Sequence, residues 1–111
     1  MHHDTPQYIP ISALLPFDRT ATMHTLACEL NHRIHVLHDY ALHDQLVADA
    51  NLRPIYVVPA QHEHYRVVNG TPAVTILRDV LHRTTILAVI LHPADPRANP
   101  LYWNHTADTP D

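Results

Sequence analysis

The chain of 111 residues contains one glycine, one cysteine, one serine, one tryptophan, one phenylalanine and no lysine. Each scarcity excludes something. A single cysteine, Cys28, rules out an intramolecular disulfide and any zinc site built from paired thiolates. It falls in the segment ATMHTLACEL, where helical spacing predicts a buried, inert thiol. A single serine, Ser12, in a segment that reads as a turn cap, leaves no serine nucleophile. Asp18, Glu63 and Asp79 fall near loops or on helix surfaces, with no spacing that pairs them as acid and base, and read as solvated side chains. Seven arginines against 11 acids leave a net charge of −4, so the chain has no bulk electrostatic attraction for phosphates, and tight nonspecific DNA binding is not expected. The start, MHHDTPQ, has neither the basic residues nor the apolar run of a signal peptide. The longest apolar run, residues 86–91, is far too short to span a bilayer. A cytoplasmic protein without a membrane partner is the expectation.

With 46% hydrophobic residues, the chain can bury one core without a disulfide or a structural metal. Its organising stretch is residues 52–91. Pro54 to Pro59 is a near-continuous apolar strand of the kind buried on both faces. A polar turn from Ala60 to His64 and a return strand from Tyr65 to Asn69 make a β-hairpin. Gly70, the lone glycine, sits where that strand gives way to a helix. Pro72 suits the first turn of this helix, and Val74, Ile76, Leu77, Val80 and Leu81 form its apolar face. Thr84 to Leu91 is a β-branched core strand, and the preceding helix supplies the crossover that a parallel neighbour needs.

Upstream, residues 1–7 are polar and expected to be loose, and Tyr8 to Ile11 is a short strand in which Pro10 suits only an edge or end. A helix runs from Thr20 or Thr22 to about His32, with Met23, Leu26, Ala27 and Leu30 on its apolar face. A break spans residues 33–38. Asp39 caps a second helix from Tyr40 to Ala50, with Ala41, Leu42, Leu46 and Val47 facing the core. Residues 93–111 hold four prolines and are read as an exposed tail without helix or strand, whose Leu101, Tyr102 and Trp103 dock on the domain or on a partner.

Twelve histidines include His32, His35, His38 and His43 in one cluster and His62 and His64 in another. The sharper reading is a transition-metal site from His35, His38 and His62 or His64. The simpler reading, favoured by the absence of lysine and of any Glu-x-x-His pattern, is a set of surface side chains. Their number also makes the net charge sensitive to mild acid.

The order IPISALLPFDR, a helix, LRPIYVV, YRVVNG, a helix and TTILAVIL resembles the ParB-like domain of partition proteins, related in fold to sulfiredoxin. The resemblance covers about residues 8–91, with an extra helix between Arg19 and Asp39. It implies an α+β fold, a small mixed sheet with a β-hairpin and three helices, in a domain over residues 8–92. In that family the glycine opens a Gly-Glu-Arg-Arg type motif that holds nucleotide phosphates, CTP in partition proteins, aided by a first-loop arginine. The glycine carries over as Gly70 and the arginine as Arg19, with Thr71 beside the turn and Arg66 on the preceding strand as further phosphate candidates. The glutamate, both motif arginines and sulfiredoxin's cysteine are replaced by Thr71, Pro72 and Ala73. Two lost charge-assisted contacts at roughly 1.5–3 kcal/mol each remove most of such a site's grip. Partition proteins continue into a helix-turn-helix DNA reader that this sequence does not contain, so direct DNA binding by the chain alone is not expected.

The leading expectation is therefore a degenerate ParB-like module that binds a protein partner, including a second copy of itself, in plasmid, phage or integrative-element maintenance or transfer. It needs no cofactor and no catalytic residue. The alternatives are a ParB-like nuclease or a hydrolase that binds CTP or ATP with Mg²⁺ at the Gly70 turn, and a histidine-based metal-binding protein.

Overall fold

The computed structural model describes residues 5–107. The expected loose N-terminus therefore lies outside the described residues for positions 1–4, while Gln7 already belongs to the first strand. Four strands, β1 (Gln7–Pro10), β2 (Ile55–Pro59), β3 (Tyr65–Asn69) and β4 (Thr85–Ile90), form one mixed sheet in the order β1-β4-β2-β3. The β2–β3 hairpin and the β1–β4 pair are antiparallel, and β2 and β4 run parallel as neighbours at the centre. Pro10, which cannot donate to a ladder, ends an edge strand as its chemistry requires. The other edge, β3, is part-covered where Leu14 bridges Tyr65 and the Leu15 N–H donates to the Tyr65 carbonyl at 2.8 Å.

Both central strands are apolar on both sides because both faces of the sheet are covered. On one face Ile55, Val57, Ile86 and Ala88 join the main core. It is closed by α1 (Ala21–Asn31), α2 (Tyr40–Leu52) and α3 (Thr71–Asp79). On the other, Val58, Val68, Val89 and Leu91 pack with Ala98 of the C-terminal segment.

The helices start where their chemistry directs. Thr20 Oγ1 accepts the Met23 N–H at 3.1 Å, and Asp39 Oδ1 accepts the Leu42 N–H at 3.1 Å, so both side chains satisfy orphan amide groups. On α1 the buried stripe is Met23, Ala27 and Leu30, continued by Ile34. Cys28 lies one step off this stripe and is exposed, with Sγ 3.7 Å from His24 Nε2, which corrects the buried thiol read from sequence. No residue of α2 is fully buried. Leu42, Leu46, Val47 and Ala50 only lean on the core.

Two segments differ from the sequence reading. The break at 33–38 is not irregular: α1 continues directly into a π-helical turn, His32–Val36, in which the Leu37 N–H reaches back to the His32 carbonyl at 3.0 Å. Ile34, within this turn, is buried in the core four residues on from Leu30. The tail is not structureless either. A 3₁₀ turn, Pro96–Ala98, is capped by Asp95 and leads into a fourth helix, α4 (Pro100–Ala107). The 3₁₀ turn lies against β2 and α4 against β3. The tail folds because the sheet's second apolar face must be buried, and among the described residues no other element joins that cluster.

Histidines also do backbone work. His38, His62 and His82, with Glu63, adopt left-handed φ angles. In a chain with one glycine these turns fall to other residues, and histidine is among the side chains that tolerate that region better than most.

Candidate functional site

α3 is the element on which the candidate side chains converge, and its two ends differ. At its N-terminus Gly70 is the N-cap, with φ 112° and ψ 19°. A Cβ built there would lie 2.5 Å from Ile55 Cγ2 and 2.9 Å from Ile55 Cβ. Ile55 is a buried residue of the central strand β2, so the turn is filled from below by the core. Thr71 and Pro72 follow, and Pro72 contributes no N–H to the turn. Thr75, buried within the helix, returns its hydroxyl to the Thr71 carbonyl at 3.1 Å and is satisfied locally.

The charged chemistry is at the other end. Arg19 donates to Asp79 Oδ2 at 2.8 Å, and Arg78 Nε donates to Asp79 Oδ1 at 3.0 Å. The Arg78 guanidinium also lies 5.8 Å from the centre of the Phe17 ring. Asn31 Nδ2 donates to the Asp79 carbonyl at 3.1 Å, and His35 Nε2 is 2.9 Å from the Val80 carbonyl, so α1 and the π turn occupy carbonyls that α3 leaves open. Nine residues of helix rise, about 13 Å, separate Gly70 from Asp79. The structure thus does not bring Arg19 to Gly70 and Thr71: the first loop carries Arg19 to Asp79 instead. Arg66 is on β3, opposite Val58, exposed and beside the C-terminal segment in a cleft with Asp95 and Asn99. The four phosphate candidates occupy three separate regions.

The hydrogen bond from Arg78 holds the Asp79 carboxyl below its ordinary value of 3.8, with help from the Arg78, Arg19 and His82 charges and against the opposing effect of burial. A depressed folded-state value stabilises the fold above the unfolded value, and that contribution is lost as pH falls through the folded one. Asp79→Asn is expected to cost about 1 kcal/mol at pH 7, the upper range for a part-exposed ion-pair network. Urea melts of the two proteins should converge as pH falls below the ordinary carboxyl value of 3.8 and through the lower folded-state one.

The metal grouping does not assemble. Among the described residues no three or more His, Cys, Asp or Glu side chains are placed to hold a metal ion. His35 is engaged with Val80 and stacks at 5.6 Å on His82, His38 Nδ1 is 3.2 Å from the Tyr40 hydroxyl, and His62 and His64 belong to the β2–β3 turn, where His64 Nδ1 is 2.8 Å from the His62 carbonyl.

Of the tail residues, Trp103 packs on Tyr56 of β2 at 4.7 Å and its indole N–H donates to the Arg97 carbonyl at 2.9 Å. The Arg97 guanidinium lies 5.8 Å from the centre of the Tyr56 ring and pairs with Asp95 at 3.0 Å. Leu101 remains 68% exposed and Tyr102 39%. The sequence reading missed one grouping: a groove between the first loop and α3, bounded by Leu14, Leu15, Phe17, Arg78, Arg83 and Thr84. The signal for it was the arginine pair at 78 and 83 following an apolar first loop. Among the described residues no helix is long and apolar enough to cross a membrane.

No protein-family model matches the sequence, and no curated protein matches it. Among solved structures the chain is similar to the C-terminally truncated chromosome-partitioning protein ParB from Caulobacter crescentus, complexed with CTP-gamma-S, at 15% identity and a TM-score of 0.54. The likeness covers 96% of this chain and 55% of that one, so this chain spans about half the length of its structural neighbour. A match of this extent at this identity speaks for the fold alone, and with the mixed sheet, hairpin and helices described above it makes the fold ParB-like.

Proposed function

We propose that this chain is a ParB-like domain that acts as a protein-interaction or regulatory module, in the maintenance or transfer of a plasmid, phage or integrative element. The observation that carries this reading is the separation along α3. The Gly70 turn is filled by Ile55, while Arg19 and Arg78 are committed to Asp79 at the far end of the helix. A phosphate at the turn would meet backbone amides while Arg19 and Arg78 are held at the far end of the helix, and such a contact is weak without charge assistance. The genomic setting rests on the sequence resemblance.

A second reading has one observation in its favour, the nucleotide analogue in the structural neighbour's complex. It makes this domain a binder, nuclease or hydrolase of CTP or ATP with Mg²⁺ through Gly70, Thr71, Arg19 and Arg66. A thermal-shift series with each nucleotide, with and without Mg²⁺, separates the two. A ligand at about 100 times its Kd adds roughly 2.7 kcal/mol, which raises the Tm of a domain this size by some 10 °C or more. The module reading predicts no shift beyond about 1 °C at millimolar nucleotide. A rise of several degrees, abolished by Arg19→Ala, would establish the second reading.

A further inference from the structure

The module reading requires a surface, and on that reading we infer that the partner docks in the groove between the first loop and the C-terminal end of α3, as an acidic, apolar peptide segment of another protein. The groove has a volume of about 470 Å³, within the range of sites that hold ligands. Its lining joins two chemistries. Leu14, Leu15 and Phe17 give an apolar wall, and Arg83 supplies an uncompensated positive charge beside Arg78, which is paired with Asp79, with no carboxylate among the lining residues. In a chain of net charge −4 this is a local inversion of sign.

Both walls are fixed before any partner arrives. Leu14 and Leu15 are tied to the edge of β3 through Tyr65. Arg78 is held by Asp79 and the Phe17 ring. Arg83, in contrast, makes no ion pair or side-chain hydrogen bond among the described residues and is exposed. A desolvated acid of the partner is the complementary group for it. The groove is open along one side, so it cannot enclose most of a small molecule as a cofactor pocket does. An extended peptide needs only one side covered, and supplies apolar side chains and carboxylates together. Nucleic acid fits less well, since the wall is apolar and the net charge of the chain is negative.

The test is selection of peptides from a random display library on the full chain, followed by anisotropy titration of a labelled hit against the wild type and Arg83→Glu. The expected hits carry Asp or Glu beside Leu, Phe or Trp. Arg83→Glu should weaken them at least about tenfold with little change in Tm, because the side chain makes no ion pair or hydrogen bond among the described residues. Exchanging the acids of the hit for lysine should then favour the variant over the wild type. Hits that bind both proteins equally would overturn the groove and leave the module reading intact. Failure to enrich any peptide would overturn both. Self-association, or CTP binding, that Arg83→Glu removes would overturn the partner class in favour of a second copy or a nucleotide.

Discussion

Gly70→Ala is expected to destabilise the domain by about 3 kcal/mol, an unusually large effect for adding one methyl group at a helix start. Two causes add. At φ 112° an L side chain is strained by roughly 1–2 kcal/mol. The new Cβ would also approach Ile55 Cγ2 to 2.5 Å and Ile55 Cβ to 2.9 Å. Ile55 cannot move aside: it is β-branched, 2% exposed and paired within the central strands. Ile55→Ala alone should cost about 3 kcal/mol through the cavity it leaves. The double variant should be less destabilised than the two single costs summed, because removing Cγ2 relieves the worst contact. Chemical denaturation of the four proteins gives the coupling directly. Additive costs would mean that the glycine answers only to its backbone angle and that Ile55 does not fill the turn.

Trp103→Ala should cost about 2–3 kcal/mol and leave the domain folded but prone to associate. The indole covers Tyr56, and with Ala98 the C-terminal segment closes the face formed by Val58, Val68, Val89 and Leu91. Loss of a half-buried indole falls at the lower end of the large-to-small range. Removing residues 96–111 should go further and uncover that whole apolar face, which on a free molecule is an aggregation surface. Tm and sedimentation of the two variants check this. Unchanged stability on truncation would mean that the C-terminal segment is a passenger rather than a layer of the fold.

The apolar framework was legible in the sequence because it is local. Strand β2 could be read as buried on both faces from Ile55 to Val58, and the hairpin and α3 from the turn residues between apolar runs. Asp39 was readable as a cap, and Thr20 as one of two helix starts with Thr22, because the cap side chain and the amide it satisfies lie three residues apart. The tail was not readable. Its prolines and the absence of an apolar period argue against a helix, and only the uncovered side of a sheet formed some 10–40 residues earlier gives it a place to fold. The π turn escaped for a related reason. Nothing in HRIHV distinguishes a break from a wider helical turn until the core asks for Ile34. Cys28 was misread because a one-residue error in phase rotates a helical side chain by about 100°. At the site, spacing identified Gly70 as a helix start, but its left-handed angle and the atoms that fill the turn, which belong to β2, were not readable. The Arg19 partner, Asp79, is equally remote in sequence, and long-range ion pairs leave no periodic trace.

On the module reading the Gly70 turn is a structural joint that no nucleotide occupies. Backbone amide NMR during titration with CTP and Mg²⁺ tests this most directly, since Gly70, Thr71 and Ala73 each give their own signal while Pro72 gives none. The account predicts that these three signals, and that of Arg19, stay in place up to millimolar CTP. Saturable shifts of Gly70 and Thr71 together with Arg19 would contradict it and establish the turn as a working phosphate site.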